Sequence, residues 1–275
     1  MRLIIAGDFC ISSDSFTNNI IDPSVIELFK NSDFNVVNLE CPITQKNDAN
    51  KILKTGPHLC GDARIFEILK SLNVRAVTLA NNHIMDYGNI GLIDTIEACK
   101  SVGIQRVGAG KDIDEASKTL YVDNDDRKVA IINFCENEWS TTVLNDMGAN
   151  PLDIIDNTRQ IRDAKQQADH VLVIVHGGHE YYNLPSPRMQ KLYRFFVDQG
   201  ADMVIGHHTH CMSGYEIFKG VPIYYSLGNF LFMGHSQYDD WYEGLLLEIN
   251  INDGKISSLL HPVQQHKKKP KLELQ

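Results

Sequence analysis

No two of the six cysteines in this 275-residue chain (Cys10, Cys41, Cys60, Cys99, Cys135, Cys211) form a CxxC pair. That spacing argues against a structural zinc site or a disulfide framework and for reduced, mostly buried thiols. Basic excess is missing too: 26 Lys and Arg stand against 35 Asp and Glu, a formal net charge of −9. General nucleic-acid and membrane-surface binders carry a basic face, so both classes are disfavoured. Long apolar runs are lacking as well. The opening MRLIIAGDF has one basic residue and a short apolar run leading into a turn, which predicts neither a signal peptide nor a membrane anchor and makes the cytoplasm the expected compartment. GAGKD (108–112) lacks the GxxxxGK[ST] spacing, so no nucleotide-binding loop is assigned.

What is present is a rhythm. Short runs rich in Val and Ile recur at 2–7, 34–40, 75–81, 128–134, 170–178 and 202–208, each ending in small or polar residues, as strands buried on both faces do. Between them, 62–73 and 90–103 space apolar residues by three and four, and 186–200 opens with Ser186-Pro187 and stops at Gly200, so all three predict helices. Strands alternating with helices imply βαβ units and a largely parallel sheet. The last quarter predicts antiparallel hairpins at 214–232 and 243–262, the second turning at NDGK (252–255). The expectation is one α/β domain over 1–262, a mixed sandwich, followed by a basic tail (263–275) that ends solvated.

The chemistry gathers at the strand ends, where ligands of α/β sheets collect. The first strand ends in Asp8, the second in Asn38 and Glu40, and the third in Asn81, Asn82, His83 and Asp86. A later one ends in His176, His179 and Glu180, the next in His207, His208 and His210. A single Asp after a strand is most often a turn former, and a single His a hydrogen-bonded structural residue. Five successive occurrences shift the balance to a metal centre, because carboxylate, amide and imidazole are donors that Zn, Mn and Fe accept. In an extended segment His208 and His210 share a face, which assigns them to one cluster and His207 to a supporting place. Glu40 is the candidate bridge between two ions about 3.5–4 Å apart.

The runs GDFC, NLECPIT, LANNHIMDYG, VGAGKDIDEA, VHGGHEYY, GADMVIGHHTH and GVPIYYSLGNFLF, in this order across about residues 2 to 235, resemble the CapA family, named for poly-γ-glutamate capsule synthesis. That family is similar in turn to the calcineurin-like metallophosphoesterases. The resemblance implies a four-layer α/β/β/α sandwich with two mixed sheets and a di-metal centre holding divalent ions (Mn, Zn or Fe). It implies metal ligation by Asp8, Glu40, Asn82, His176, His208 and His210, with His83 at the catalytic histidine position and Asp86 orienting it and raising its pKa. Two positions depart from the phosphoesterase pattern. Cys10 stands where that pattern has a histidine, and the bridging aspartate is the longer Glu40. Cys10 is read first as a small buried residue, which leaves the first metal position weaker.

Read from the residues, bound metals polarise a phosphoryl or acyl oxygen and lower the pKa of water towards about 7, with His83 as general acid. Glu180 is assigned a ligand-contact or general-base role; His179 and Tyr182 line the approach, and Tyr181 packs. Gly228 and Asn229 are assigned to a bulge or turn, with Ser226 and Asn229 as possible supporting donors. The expected function is metal-dependent hydrolysis of a phosphate ester on a small or polymeric anionic substrate. The alternatives are a capsule-synthesis component that binds an acidic polymer without turnover, and a metal-dependent hydrolase of a γ-glutamyl amide.

Overall fold

The computed structural model describes every residue except Asn18, Asp125, Asp126, Leu144, His235 and 268–270. Its first strand, β1 (Arg2–Cys10), is buried on both faces after Arg2, as its unbroken apolar run requires. Following it are α1 (Pro23–Lys30), β2 (Phe34–Leu39), α2 (Ile65–Ser71), β3 (Val74–Thr78), α3 (Gly88–Ser101), β4 (Gln105–Val107), β5 (Ala109–Gly110), α4 (Ile113–Ala116), β6 (Leu120–Asn124), β7 (Arg127–Cys135) and β8 (Gly148–Ala149). The second half holds α5 (Ile154–Gln167), β9 (His170–His176), α6 (Pro187–Gln199), β10 (Met203–His207), β11 (Tyr215–Phe218), β12 (Val221–Tyr224), β13 (Asn229–Phe232), β14 (Glu243–Asn252), β15 (Lys255–Gln265) and β16 (Leu272–Leu274).

Among the described residues the long strands form two mixed sheets. One orders β16-β15-β14-β1-β2-β3-β4, with β13 also pairing β1; the other orders β11-β12-β10-β9-β7-β6. Side-chain alternation along each strand builds the layers. Leu3 and Ile5 of β1 face Ile131, Leu172 and Ile205 of the second sheet. Ile4 and Ala6 belong instead to the layer with Phe29, Leu69 and Leu92 of α1, α2 and α3. On the far side, Ile132, Val173 and Val204 pack against Ile161 of α5 and Phe196 of α6. The result is four layers, α/β/β/α, with mixed sheets as expected.

Local signals explain the elements. Ser186 caps α6 by accepting the Met189 N–H, Pro187 opens it, and Gly200 closes it at φ 119°. The β14–β15 hairpin turns through Asp253 and Gly254 at φ 50° and 74°, the two left-handed residues that a two-residue turn needs. The hairpin expected at 214–232 is only the β11–β12 pair; β13 crosses to run parallel with β1 in the other sheet.

The C-terminal boundary needs correction. Residue 262 falls inside β15, and Leu272–Leu274 return as β16, antiparallel to Val263–Gln265. Leu272 is fully buried in the same layer as Val25 and Phe29, and its N–H donates to the Ile20 carbonyl at 2.8 Å. Burial of this one leucine anchors a segment whose basic composition reads as a loose end. Of that tail, 268–270 lie outside the described residues.

The parallel strands set up the site. In the first sheet Asp8, Asn38 and Thr78 stand in register; in the second, Cys135, His176 and His207 do. The carboxyl ends of both sheets therefore meet on one rim.

Candidate metal centre

Asp8 belongs to β1 itself and is fully buried. Its Oδ1 accepts from Asn38 Nδ2 at 2.7 Å and its Oδ2 from the backbone N–H of His208 at 3.1 Å, so one carboxylate links the two sheets. A Cβ on the preceding Gly7 would lie 1.9 Å from the Gly228 carbonyl oxygen, so only glycine lets that segment approach. Glu40, just past β2, is also fully buried, and its backbone N–H donates to the Phe9 carbonyl at 3.0 Å. The loop after β3 turns through Asn81, whose side chain donates to the Leu39 carbonyl at 2.9 Å and accepts the His83 N–H at 3.2 Å. That turn presents Asn82 and His83.

His176 Nε2 lies 3.0 Å from Asn82 Oδ1, 3.1 Å from His208 Nδ1 and 3.5 Å from Glu40 Oε1. Around a second point, Glu40 Oε1 is 3.7 Å from His210 Nε2, and Asp8 Oδ2 is 3.5 Å from His210 Nδ1. Two groups with metal-binding geometry result, Glu40-His176-His208 and Asp8-Glu40-His210, and Glu40 is common to both. All six residues read from the sequence as ligands thus converge within one buried region.

The donor set fits cations. Glu40 Oε1 is buried with no hydrogen-bond partner, although it faces two imidazoles. Burial, and then the neighbouring Asp8, holds the Glu40 carboxyl well above the usual range. Burial likewise raises Asp8, against the opposing pull of His210. Burial lowers the imidazoles: His208 and His210 to about 4, and His176 well below its ordinary value. Burial thus leaves neutral imidazoles with lone pairs to offer beside two acidic side chains whose charged forms it disfavours, and a divalent ion supplies the positive charge that stabilises those forms. Asn229 Oδ1 lies 2.9 Å from His210 Nδ1; with the proton assigned there, Nε2 is left towards Glu40. Asn229 therefore does more than shape the turn, for its side chain also donates to the Trp241 carbonyl at 2.9 Å.

The geometric reason given for the histidine pair does not hold. β10 ends at His207, and His208 and His210 are left-handed, with φ 92° and 53°, so extended-chain alternation does not apply to them. They share the region because the chain coils back over the rim. His207 is buried with neither ring nitrogen paired, outside both ligand groups. Cys10 is likewise buried in an apolar layer and outside both groups.

His83 Nδ1 is 2.7 Å from Asp86 Oδ2, which also accepts the Leu59 N–H at 2.6 Å. The other Asp86 oxygen pairs with Lys54, whose ammonium is 3.2 Å from His83 Nδ1 and whose side chain is only 2% exposed. The sequence reading missed Lys54: it lies in KILKTG with no motif around it, and only the fold buries it. Glu138, also missed, places Oε1 3.7 Å from His208 Nε2. Glu180 stands at the exposed mouth and in neither ligand group; partial desolvation raises its carboxyl, against His83.

Four layers with paired carboxylates, an amide and three imidazoles at the carboxyl rim define a metallophosphoesterase-type fold. A phosphatase of Mycoplasma pneumoniae superposes at TM-score 0.56 and 13% identity, covering 96% of this chain and 93% of that one. A hypothetical protein of Thermus thermophilus does so at 0.57 and 15%, covering 95% and 99%. The chain belongs to the bacterial capsule synthesis protein family PGA_cap, whose profile matches residues 6–233. Similar proteins include the capsule biosynthesis protein CapA of Bacillus anthracis, 33% identical over 210 residues (74% of this chain, 51% of that one). The PGA biosynthesis protein CapA of Bacillus subtilis is 36% identical over 211 residues (74% and 54%). The chain thus spans about half the length of the curated relatives it matches.

Proposed function

We propose that this protein is a metal-dependent hydrolase of phosphate esters. The observation that carries the reading is Glu40 Oε1, buried without a hydrogen-bond partner between His176 and His210. In this reading Glu40, His176, His208 and Asn82 hold one divalent ion, and Asp8, Glu40 and His210 hold the other. Such ions supply positive charge that polarises a phosphoryl oxygen and acidifies an attacking water. Asp8 and Asn229 orient the ligand residues, one through the His208 backbone and the other through His210 Nδ1.

His83 is the general acid. Asp86 accepts its Nδ1–H, which leaves Nε2 to deliver a proton to the departing alcohol. Lys54 and the Leu59 N–H hold Asp86 in place for that task. Glu180 contacts the ligand at the mouth, as an acceptor for its hydroxyls or for water. Six buried free cysteines support the reducing, cytoplasmic setting we assign to it.

Elemental analysis of protein purified without chelator, followed by assay of a chromogenic phosphate ester with added Mn²⁺, tests this function. Bound metal, and turnover that falls about 10²-fold or more in His83→Asn, is expected. A protein that neither retains nor responds to Mn, Zn or Fe refutes it. The names of the Bacillus relatives favour a second reading, in which the same rim binds an acidic polymer or cleaves its γ-glutamyl amide. Titration with γ-glutamate oligomers and analysis of the products separates these from ester hydrolysis.

A further inference from the structure

The mouth of the centre carries an aromatic shelf that the ligand set and the His83 group leave unused. Tyr181 is left-handed at φ 60°, a conformation strained for a bulky residue, and its N–H donates to the Thr209 carbonyl at 2.8 Å. So held, its ring sits 6.3 Å from that of His210 and stacks on Tyr238 at 4.7 Å and 25°. It also lies near-parallel to Trp241, at 5.9 Å and 26°. Trp241 is the fixed base: it is buried, its Nε1–H donates to the Phe232 carbonyl at 3.2 Å, and its ring is 4.6 Å from His210. The outer rings are open, with Tyr181 41% and Tyr238 46% exposed.

Parallel rings with free surface extend naturally by one more flat ring, because offset stacking needs only another face. Charge selects against the alternative. Glu180 precedes Tyr181 and Asp240 lies two residues after Tyr238, while Asp239 is paired with Lys267, so a chain of repeated carboxylates arriving there meets like charge from Glu180 and Asp240. A group whose only anion sits at the metal rim avoids them.

We propose that Tyr181 and Tyr238 seat a ring carried on the alcohol side of the substrate, so that the preferred ligands are phosphate esters of ring-bearing alcohols rather than open-chain esters or polycarboxylates. This rests on the reading of the buried centre as a phosphate-ester site. The phosphoryl group lies at the two ligand groups and the ring lies outward, over the tyrosines.

Calorimetric binding to the Mn²⁺-loaded full chain tests it with ligands that cannot be hydrolysed. Phenylphosphonate is expected to bind about tenfold or more tightly than methylphosphonate, the scale of one base–aromatic stack. Tyr238→Ala is expected to bring that ratio towards one. Tyr215→Ala, which changes an exposed tyrosine on the edge strand β11, leaves it unchanged. Non-hydrolysable phosphonate analogues of AMP and of glucose 6-phosphate, titrated beside them, tell a base from a sugar as the seated ring. Equal affinity for the two phosphonates, or a ratio unmoved by Tyr238→Ala, overturns the shelf while sparing the phosphate reading. Tighter binding of a γ-glutamate oligomer than of any ring ligand overturns the shelf as well. A loaded protein that binds neither phosphonate refutes the phosphate reading itself.

Discussion

Glu40→Gln is expected to make the metal-free protein more stable and the metal-loaded protein less so. In the absence of metal Glu40 is a fully buried carboxyl group with one oxygen unpaired, beside the equally buried Asp8. Its carboxyl is raised by burial, so the stability it contributes is complete below its unfolded value and is lost as pH rises through the folded one. An amide removes that dependence, and its NH₂ can donate to His210 Nε2, which lies 3.7 Å from Oε1. The gain at pH 7.5 is about 1–3 kcal/mol, the scale of one buried unpaired polar group. With metal the order reverses. A ligand at a hundred times its dissociation constant stabilises the folded state by about 2.7 kcal/mol, which for a chain of this size raises Tm by roughly 5–10 °C. Because Glu40 belongs to both ligand groups, the variant loses that rise. Differential scanning calorimetry of both proteins, with chelator and with Mn²⁺ or Zn²⁺, reads all four states. A wild-type Tm indifferent to every divalent ion, or a variant that keeps the full rise, refutes the reasoning.

Other outcomes follow from the same geometry. Asn229→Ala frees His210 Nδ1 and should weaken metal affinity about 10–100-fold, measured by competition with a chelating dye. Lys54→Met leaves the buried Asp86 short of a charged partner and should destabilise the fold by about 3–5 kcal/mol in urea denaturation. His207 is held neutral by burial, with its pKa pushed down to about 3, so the stability it contributes is complete above about 6.5 and lost as pH falls towards 3. Between pH 7 and pH 5 that loss is about 2 kcal/mol, and His207→Leu should remove it from the stability–pH curve.

The buried strands were legible because their apolar runs admit no other period, and all six expected runs form strands, with ends shifted by one to three residues. α1 and α5 were missed, yet each carried a capping signal: Asp22 before Pro23, and Asp153, whose side chain accepts the Ile155 and Asp156 N–H groups. α5 buries only Asn157, Ile161 and Ala164, so few apolar residues mark its inner face among many polar ones. The site was legible wherever ligand-type residues ended strands, since parallel strands bring those ends together whatever their separation in sequence. Lys54 and Glu138 sit in loops whose paths depend on long-range packing, and no local spacing announces them. The left-handed turns at His208 and His210 were invisible for the same reason, because histidine does not advertise such a backbone as glycine does.

Asp8 joins residues 200 positions apart by accepting the His208 N–H, and the ligand groups draw from both sheets. An ion seated there would rivet the two halves of the sandwich at their shared edge, while towards the opposite edge apolar packing and the Tyr224–Ser258 hydroxyl contact, 2.6 Å, join them. Removing the ion should therefore let the sheets breathe from one end, and amide exchange should quicken first at Glu40, His176 and His208, long before the middle of β1 or β9 opens.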